Sequence, residues 1–340
     1  AGLAVNLLST TTVAIMLYRL YRHCGGKSSS EILAYLAEET PPGPAIAITR
    51  KRLLLAGVIG VIVAIVVGAG ALRSVRLEDD VQIMAHRGSS QAAPENTMAA
   101  IRQAIADDAD WVEIDVQETA DGEVVVFHDS DFMKTAGRKL KIWDATGDDL
   151  RDVDIGSWFD PKFNAERVPT LAEVLDECRG KIGVNIELKY YGHDEQLEQR
   201  VIDLVESRDM ADEVMAMSLK MDAVRKMNEL RPDWKVGLLM SVSAGNIKNI
   251  EADFLAINAS FADPGLIQRA HDSGKEVYVW TVNDAPTMSM MTSRGVDGLL
   301  TDKPALARTV LDQLAEMSAP ERLLLEVASL LGTTPELGEQ

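Results

Sequence analysis

Short apolar runs alternate with amphipathic stretches between residues 81 and 314 of this 340-residue chain. The apolar runs have the length of β-strands, and they cover residues 83–85, 111–116, 124–127, 182–188, 214–217, 236–240, 254–257, 276–280 and 298–300. Patterns with helical spacing lie between most of them, at residues 98–106, 171–177, 196–206, 223–230, 264–273, 285–294 and 305–314. Alternation of this kind is typical of parallel β/α units.

The number of strand-like runs predicts an α/β fold of the TIM, or (β/α)8, barrel type. Such a barrel usually needs roughly 250 residues, and the alternating segment is close to that length. The runs at 111–116 and 124–127 leave no room for a helix, so we expect one barrel strand with a hairpin-like extension. Residues 130–169 are rich in Asp and Gly without steady periodicity, and we interpret them as a small insertion after the second strand.

A different pattern precedes the barrel segment. Residues 53–72 contain no charged side chain, and a helix of that length spans roughly 30 Å, the thickness of a bilayer core. A soluble helix normally carries a polar stripe, and a cleavable signal peptide has a shorter apolar core, so we predict a transmembrane helix. Residues 1–18 are also uncharged but less apolar; they are a candidate second span, and an amphipathic or buried helix is the alternative.

Basic residues flank the loop between these two segments. Arg19, Arg22 and Lys27 follow the first segment, and three basic residues at 50–52 precede the second. Because basic loops stay in the cytoplasm, the domain that follows the second segment is expected to be membrane-attached and extracytoplasmic. We therefore divide the chain into a membrane region (1–76), a barrel domain (77–316) and an amphipathic C-terminal tail (317–340).

Charge and cysteine content narrow the classes of function. The formal net charge is −19, which argues against a nucleic-acid partner because phosphate backbones attract basic surfaces. A local phosphate site needs only a few cations or a metal and stays possible. Cys24 and Cys178 are far apart and belong to no C-x-x-C pair, so the sequence indicates neither a zinc site nor a disulfide framework.

Polar residues lie at the carboxyl ends of several predicted strands, which is the end of a TIM barrel where active sites form. They are His86, Arg87, Glu113, Asp115, His128, Glu187 and Lys189. Since residues i and i+2 of a strand share a face, Glu113 lies beside Asp115, and Glu187 lies beside Lys189. Buried carboxylates are costly unless they are paired or bind metal, and three that converge suit a divalent cation such as Mg²⁺ or Ca²⁺.

This set of side chains suits phosphoryl transfer. Arg87 and Lys189 can hold a phosphate, and His86 and His128 can act as acid and base near neutral pH. Taken alone, the Glu113-x-Asp115 pair could equally be an exposed strand end or a salt bridge. The other histidines, His23, His193 and His271, are interpreted as structural or surface residues.

A series of motifs in fixed order then resembles a known family. The motifs are His86-Arg87-Gly88, Pro94-Glu95-Asn96-Thr97, Glu113-Ile114-Asp115-Val116, Asp121-Gly122, His128-Asp129, Val168-Pro169-Thr170-Leu171, Glu187-Leu188-Lys189, Trp280-Thr281-Val282-Asn283 and Thr301-Asp302-Lys303-Pro304. Together they resemble the glycerophosphodiester phosphodiesterase family. The apolar segments before them resemble the branch of that family with an integral-membrane N-terminal region.

The resemblance implies a TIM barrel that hydrolyses glycerophosphodiesters to sn-glycerol 3-phosphate and an alcohol. It implies these roles: a divalent cation on Glu113, Asp115 and Glu187; acid/base chemistry by His86 and His128; phosphate binding by Arg87 and Lys189; a carboxylate near the site at Glu95; and a pocket-lining aromatic at Trp280. Membrane attachment keeps lysophospholipids or sphingolipids open as substrates of a phospholipase-D-like reaction, and a polyglycerophosphate wall polymer as well.

Several motif residues also have plain structural interpretations. Residues 94–97 could simply start a helix with Asn96 or Thr97 as its cap, and Gly88 could only allow a turn. Trp280 could belong to the core, and residues 301–302 could cap a helix that begins at Pro304. A non-catalytic, membrane-anchored scaffold is a further alternative, against which the intact charged positions argue.

Overall fold

The computed structural model describes residues 80–193, 195–241, 247–318 and 320–322. The predicted spans at 1–18 and 53–72, the loop between them and residues 323–340 of the predicted tail lie outside the described residues. Within the described ranges, no helix combines the length and the apolar character needed to cross a bilayer.

Eleven strands and nine α-helices make up the described part of the chain. The strands are β1 (Gln82–His86), β2 (Trp111–Glu118), β3 (Val124–Val126), β4 (Asp131–Phe132), β5 (Arg138–Lys141), β6 (Gly183–Leu188), β7 (Val214–Ser218), β8 (Lys235–Met240), β9 (Phe254–Asn258), β10 (Glu276–Trp280) and β11 (Gly298–Thr301). The helices are α1 (Met98–Ala106), α2 (Met133–Ala136), α3 (Gly147–Leu150), α4 (Leu171–Cys178), α5 (Leu197–Glu206), α6 (Met221–Leu230), α7 (Pro264–His271), α8 (Ala285–Arg294) and α9 (Pro304–Glu316).

Eight of the strands form a closed parallel barrel. Their order is β1-β2-β6-β7-β8-β9-β10-β11, and β11 pairs with β1 through the register Gln82↔Gly298. The short β3 runs antiparallel to the end of β2, with Val116 opposite Val126. The predicted TIM barrel is therefore confirmed, and so is the hairpin-like extension of its second strand.

Side chains alternate along each barrel strand between two separate cores. Ile83 and Ala85 of β1 face outward and pack in the large core beneath the helices, whereas Met84 faces the barrel interior. The interior core includes Phe254 and Tyr278, whose rings meet edge to face with centroids 5.2 Å apart. The barrel interior is therefore filled with side chains, and polar groups collect at one end of it.

Residues 130–169, predicted as an insertion, fold into a small lobe on the barrel. The lobe contains the antiparallel pair β4–β5 and the short helices α2 and α3. It has a core of its own, in which the rings of Phe127 and Phe132 pack with centroids 4.5 Å apart. The lobe ends where Val125 forms a β-bridge with Thr170, which brings the chain back to the barrel.

Helix starts follow the capping residues in the sequence. Thr97 is the N-cap of α1, and its hydroxyl accepts a hydrogen bond from the Ala100 N–H at 3.2 Å. Thr170 and Glu173 form a capping box at the start of α4. These caps fix where each helix leaves the strand before it, and hence where the strand-end residues stand.

Candidate active site

Three buried carboxylates meet at the carboxyl ends of β2 and β6. Glu113 and Asp115 share a face of β2, and Glu187 of β6 is the register partner of Asp115. Their side chains offer oxygens that lie within 4.8 Å of one another, and the residues are 1%, 0% and 5% exposed. The structure thus brings together the three residues that the sequence predicted as a cation site.

The charge state of this carboxylate trio follows from burial and from neighbouring charges. Burial, together with the charge of Asp115, raises the pKa of Glu113 to about 7 and the pKa of Glu187 to about 8. Burial also acts to raise the pKa of Asp115, but Arg87 and Lys189 outweigh it and lower that pKa to about 2. The two side-chain cations therefore neutralise only part of the trio.

The trio fits a hard divalent cation. Glu113 Oε1 is buried and has no hydrogen-bond partner among the described residues. Such an atom is costly to bury, and a cation that prefers oxygen ligands would satisfy it. Among the described residues, this is the one group of three or more acidic, His or Cys side chains with metal-binding geometry.

Arg87 and Lys189 lie directly against the trio. The Arg87 Nε is 3.2 Å from Asp115 Oδ2, and its backbone N–H donates to Glu113 Oε2 at 2.9 Å. The Lys189 ammonium is 3.0 Å from Glu187 Oε1 and 3.4 Å from Asp115 Oδ1. Both cations are therefore held at the site by the same carboxylates, as the strand spacing predicted for Glu187 and Lys189.

A left-handed turn directs Arg87 into the site. Arg87 itself has φ +56°, and the next residue, Gly88, has φ +81°. A Cβ atom at position 88 would lie 2.6 Å from the carbonyl carbon of Ala100 in α1. Glycine is required here by both conformation and space, so the turn and the approach of α1 together fix the Arg87 backbone.

His86 ends β1 and is held by a carboxylate from the far end of the chain. Its Nδ1 donates to Asp302 Oδ1 at 2.7 Å, since an ionised carboxylate can only accept. Asp302 also accepts hydrogen bonds from Ser90 Oγ at 2.9 Å and from Asn283 Nδ2 at 2.6 Å. Burial acts to lower the pKa of His86, but the Asp302 hydrogen bond and the charge of Glu113 outweigh it and raise that pKa.

His128 lies across the same cavity on the loop after β3. Its Nδ1 donates to Asp129 Oδ1 at 2.7 Å, and its backbone carbonyl accepts from the Tyr191 hydroxyl at 2.8 Å. Burial is the largest cause that lowers the pKa of His128, although the charge of Asp115 acts in the opposite direction. Both histidines thus keep Nδ1 on a carboxylate, which leaves Nε2 for proton exchange with a ligand.

A buried amide supports the loop that carries His128. The Gln117 side-chain nitrogen contacts three successive backbone carbonyls, at 2.7 Å (Phe127), 3.3 Å (His128) and 2.8 Å (Asp129). Gln117 is only 2% exposed, so water does not compete for these bonds. The loop conformation therefore depends on one side chain of β2.

A cavity of about 120 Å³ joins these groups at the open end of the barrel. Its walls are formed by His86, Arg87, Glu113, His128, Glu187, Lys189, Met217, Leu219, Leu239, Trp280 and Leu300. The Trp280 ring lines the cavity while its N–H donates to the Ala256 carbonyl at 3.0 Å. The cavity therefore has one polar, charged side and one apolar side.

Glu95 does not line the cavity but lies behind Arg87, which does. Its Oε1 lies 3.3 Å from the Arg87 guanidinium and 2.9 Å from the Lys134 ammonium of the lobe. Glu95 therefore contacts the site through Arg87, and it links the site to the lobe. His193 and His271 lie elsewhere: His193 stacks on Trp143 with centroids 4.3 Å apart, and His271 hydrogen-bonds Asp297 at 2.8 Å.

Sequence reasoning missed several supporting residues. Asn96 is buried and donates to Asp115 Oδ2 at 2.8 Å, although the sequence offered it only as a helix cap. Asp302 was offered as a cap for α9, but the cap position is Lys303, which makes no side-chain capping bond. The position of Asp302 directly after the last barrel strand was the available signal, because that strand pairs with β1.

Fold and cavity together define a TIM-barrel enzyme whose site combines carboxylates, cations and imidazoles. The model of the glycerophosphoryl diester phosphodiesterase family matches residues 86–306, which is more than half of the chain. The chain belongs to this family, and it is an enzyme, a phosphoric diester hydrolase.

Curated relatives and solved structures agree with this assignment. The chain is 34% identical over 231 residues to the protein YhdW of Bacillus subtilis (strain 168), which covers 65% of this chain and 94% of that protein. It is 32% identical over 232 residues to a glycerophosphodiester phosphodiesterase of Caldanaerobacter subterraneus subsp. tengcongensis, with coverage of 65% and 94%. A phosphodiesterase from Oleispira antarctica, solved with the product sn-glycerol-3-phosphate, superposes with a TM-score of 0.62 at 28% identity and coverage of 68% and 96%.

Proposed function

We propose that the chain hydrolyses glycerophosphodiesters to sn-glycerol 3-phosphate and an alcohol with the help of a divalent cation. The observation that carries the proposal is the convergence of the carboxylate trio, two side-chain cations and two imidazoles on one cavity. The product held by the Oleispira antarctica relative supports the choice of substrate class.

The cation would be held by Glu113, Asp115 and Glu187, with Mg²⁺ and Ca²⁺ as candidates. When bound, such an ion draws charge away from the non-bridging phosphate oxygens. Arg87 and Lys189 bind and orient the phosphate from the same wall, Arg87 with a planar fork and Lys189 as a point charge. The apolar wall of the cavity excludes water from the rest of the ligand.

His86 and His128 carry the protons of the reaction. The Nε2 of one imidazole takes a proton from the attacking oxygen, which comes from water or from a neighbouring hydroxyl of the substrate. In the second case the first step leaves a cyclic phosphate, and water then opens the ring to give sn-glycerol 3-phosphate. The Nε2 of the other gives a proton to the alcohol oxygen as its bond to phosphorus breaks. Asp302 and Asp129 hold the two rings so that Nε2 faces the cavity in each case.

Product formation tests this proposal. We expect the full chain to release sn-glycerol 3-phosphate from glycerophosphocholine and a chelator to abolish the release. His86→Ala and His128→Ala should each lower kcat by roughly 10²–10⁴. His271→Ala is the matched control, because this histidine pairs with Asp297 away from the cavity and should leave kcat unchanged. Turnover that survives chelation, or a near-normal rate in either alanine variant, would contradict the assigned roles.

Lysophospholipids are a second candidate substrate, favoured by the apolar wall of the cavity. Met217, Leu239 and Leu300 form this wall, and Leu219 beside them is 48% exposed at the opening. An acyl chain could leave the cavity along this side while the diester reached the cations. Competition between lysophosphatidylcholine and glycerophosphocholine discriminates the two, since the preferred substrate has the larger kcat/KM.

We also propose that residues 1–76 attach the enzyme to a membrane and that the barrel lies outside the cytoplasm. The support is the apolar run at 53–72 and the basic residues that flank the loop before it. Protease protection in sealed vesicles of known orientation tests this. Cleavage of the barrel only from the cytoplasmic side would contradict the proposed orientation.

A further inference from the structure

We infer that the open end of the barrel docks against an anionic lipid surface through an apolar rim and two exposed cations. The inference concerns a surface of the barrel domain itself. It does not depend on which diester is hydrolysed, nor on the membrane region upstream.

Exposed apolar side chains collect at one end of the described structure. The large hydrophobic residues that are exposed there are Met133, Trp158, Tyr191, Leu219, Leu230 and Phe261. Tyr191, Leu219 and Phe261 follow barrel strands at the end where the cavity opens, and Met133 and Trp158 lie in the lobe beside it. Only Leu230, the last residue of α6, lies at the opposite end. We call the other five the apolar rim.

Contacts tie the apolar rim to the active site. Leu219 directly follows β7 and is part of the cavity wall. The Tyr191 hydroxyl donates to the backbone carbonyl of His128 at 2.8 Å. Phe261 lies in the short helical turn that directly follows β9. A surface that covered these three residues would therefore lie over the opening of the cavity.

The lobe extends the apolar rim on its other side. Met133 precedes Lys134, whose ammonium contacts Glu95 at 2.9 Å next to the site. The same ammonium lies 5.2 Å from the centre of the Trp158 ring. Trp158 donates its N–H to the Ile155 carbonyl at 2.7 Å, so its polar group is satisfied while part of the ring faces outward.

Positive charge accompanies this part of the rim. Residues 132–143 contain four basic side chains and no acidic one, in a chain of net charge −19. Lys134 and Lys141 are paired with carboxylates. The side chains of Arg138 and Lys139 are exposed in β5 and form no salt bridge or hydrogen bond with any described residue, although their charges act on the nearby carboxylates of Asp149 and Asp131. Both cations are exposed to an external anion.

An anionic lipid surface matches these features better than a protein partner does. The apolar side chains stand singly on separate loops, whereas a protein interface buries a contiguous patch. Tryptophan with a satisfied N–H prefers the boundary between headgroups and acyl chains. Lys and Arg near an anionic leaflet are attracted to it, and the two exposed cations together correspond to about 30-fold in the docking constant.

Fluorescence quenching by spin-labelled lipid tests the docking. The full chain is reconstituted into phosphatidylcholine vesicles with or without phosphatidylglycerol, each containing doxyl-labelled lipid and no substrate. We expect stronger quenching with the anionic lipid and loss of most of that difference in Trp158→Phe. Trp234→Phe is the control, because Trp234 is 4% exposed and precedes β8 at the far end of the barrel.

The charge variants give an independent readout. Replacing both Arg138 and Lys139 by Gln should lower the docking constant on anionic vesicles about 30-fold and leave neutral vesicles unaffected. Replacing Arg102 and Arg225 of the outer helices by Gln is the matched control, since these side chains are 60% and 54% exposed. Equal quenching of Trp158→Phe and the unsubstituted chain, or no effect of the double Gln variant, would overturn the inference.

These outcomes are separable from the catalytic proposal. Glycerophosphocholine is soluble, so its turnover measures the site without the surface. Docking without turnover would refute the proposed function alone, and turnover without docking would refute the surface alone. Circular dichroism on every variant shows that a lost signal does not come from a lost fold.

Discussion

Asp302 hydrogen-bonds His86 at the candidate active site, and it also contributes to the stability of the fold at acidic pH. Burial acts to raise the pKa of Asp302, but hydrogen bonds from His86, Asn283 and Ser90 outweigh it and lower that pKa to about 2. Because the folded-state pKa lies below the usual value, the carboxylate stabilises the fold above pH ~4, and this contribution is lost as the pH falls toward 2.

We therefore predict that the free energy of unfolding of Asp302→Asn decreases less steeply as the pH is lowered than that of the unsubstituted chain. The free energy of unfolding of the unsubstituted chain should fall by about 2 kcal/mol more between pH 4 and pH 2 than that of the variant. Urea unfolding followed by circular dichroism at several pH values measures this. Asp222→Asn is the control, because its side chain is 97% exposed and its loss should not change the slope. Parallel pH curves for Asp302→Asn and the unsubstituted chain would exclude the linkage.

Cys178 gives a second test at the scale of one residue. It is fully buried at the end of α4, and burial raises the pKa of its thiol to about 12. Since the thiolate is the reactive form, we predict that Cys178 resists a thiol reagent at pH 8 in a Cys24→Ala background and reacts fully in denaturant. Absorbance of the released thiol product follows the rate. Fast labelling of the folded chain would show that the helix end opens.

The sequence predicted which site residues lie side by side only where the two residues are close together in the chain. Glu113 and Asp115 share a strand face, and Glu187 and Lys189 do the same, so spacing alone placed each pair. Asp302 lies 216 residues from His86, and no local pattern joins them. Only the closure of the barrel, which pairs the last strand with the first, brings these two residues together.

At the scale of elements, the loop after β3 shows how a strand positions His128, one of the two proposed proton-transfer residues. Gln117 of β2 holds three successive carbonyls of this loop and is shielded from water. We predict that Gln117→Leu lowers kcat on glycerophosphocholine by about 10-fold or more, because the imidazole of His128 loses its fixed orientation. The KM should change little, since the side chains proposed to hold the phosphate lie elsewhere in the site.

A matched variant separates orientation from general destabilisation. Gln199→Leu removes an exposed glutamine of α5 that hydrogen-bonds only Asp203 among the described residues, and it should leave kcat unchanged. Steady-state kinetics of both variants gives kcat and KM separately. A rise in KM with normal kcat in Gln117→Leu would mean that the loop serves binding and not proton transfer.

Most elements followed from hydrophobic periodicity, and the lobe did not. The predicted helices at 98–106 and 285–294 match α1 and α8 at both ends, and the strand at 276–280 matches β10. The lobe core is built from residues at irregular spacing, such as Phe132, Ile142 and Leu150. Its secondary structure is short and its order comes from tertiary packing, which a periodic pattern cannot signal.

At the scale of the whole molecule, the carboxylate trio should couple cation binding to stability. Its three carboxylates face two side-chain cations, and the raised pKa values of Glu113 and Glu187 show that ionising all three is costly, so a divalent ion replaces protons at the trio and stabilises its ionised form. We predict that Mg²⁺ or Ca²⁺ raises the thermal unfolding midpoint, with a stabilisation of about 2.7 kcal/mol at a hundred times its Kd. Calorimetry with and without chelator measures the shift.

Charge-neutral variants decide whether the trio is responsible. Glu187→Gln should abolish most of the shift. Glu118→Gln is the control: Glu118 is buried at the end of the same strand as Glu113 but pairs with Arg200, so this variant loses stability and keeps its response to the cation. An unchanged response in Glu187→Gln would locate the stabilising cation elsewhere.

The overall architecture could be predicted because a barrel repeats one unit. Each unit contributes one apolar run and one amphipathic run, so errors at a single boundary did not change the count or the order. The membrane region and the amphipathic tail stay predictions, because they lie outside the described residues. What the repeat cannot reveal is which loop carries supporting side chains, since loops are where the units differ.

The edge-to-face pair of Phe254 and Tyr278 closes off the barrel beneath the catalytic pocket. Substrate and both products must therefore enter and leave through the same mouth of the barrel. A product phosphate ester that stays bound after cleavage prevents the next diester from binding. We therefore expect sn-glycerol 3-phosphate to be a competitive inhibitor.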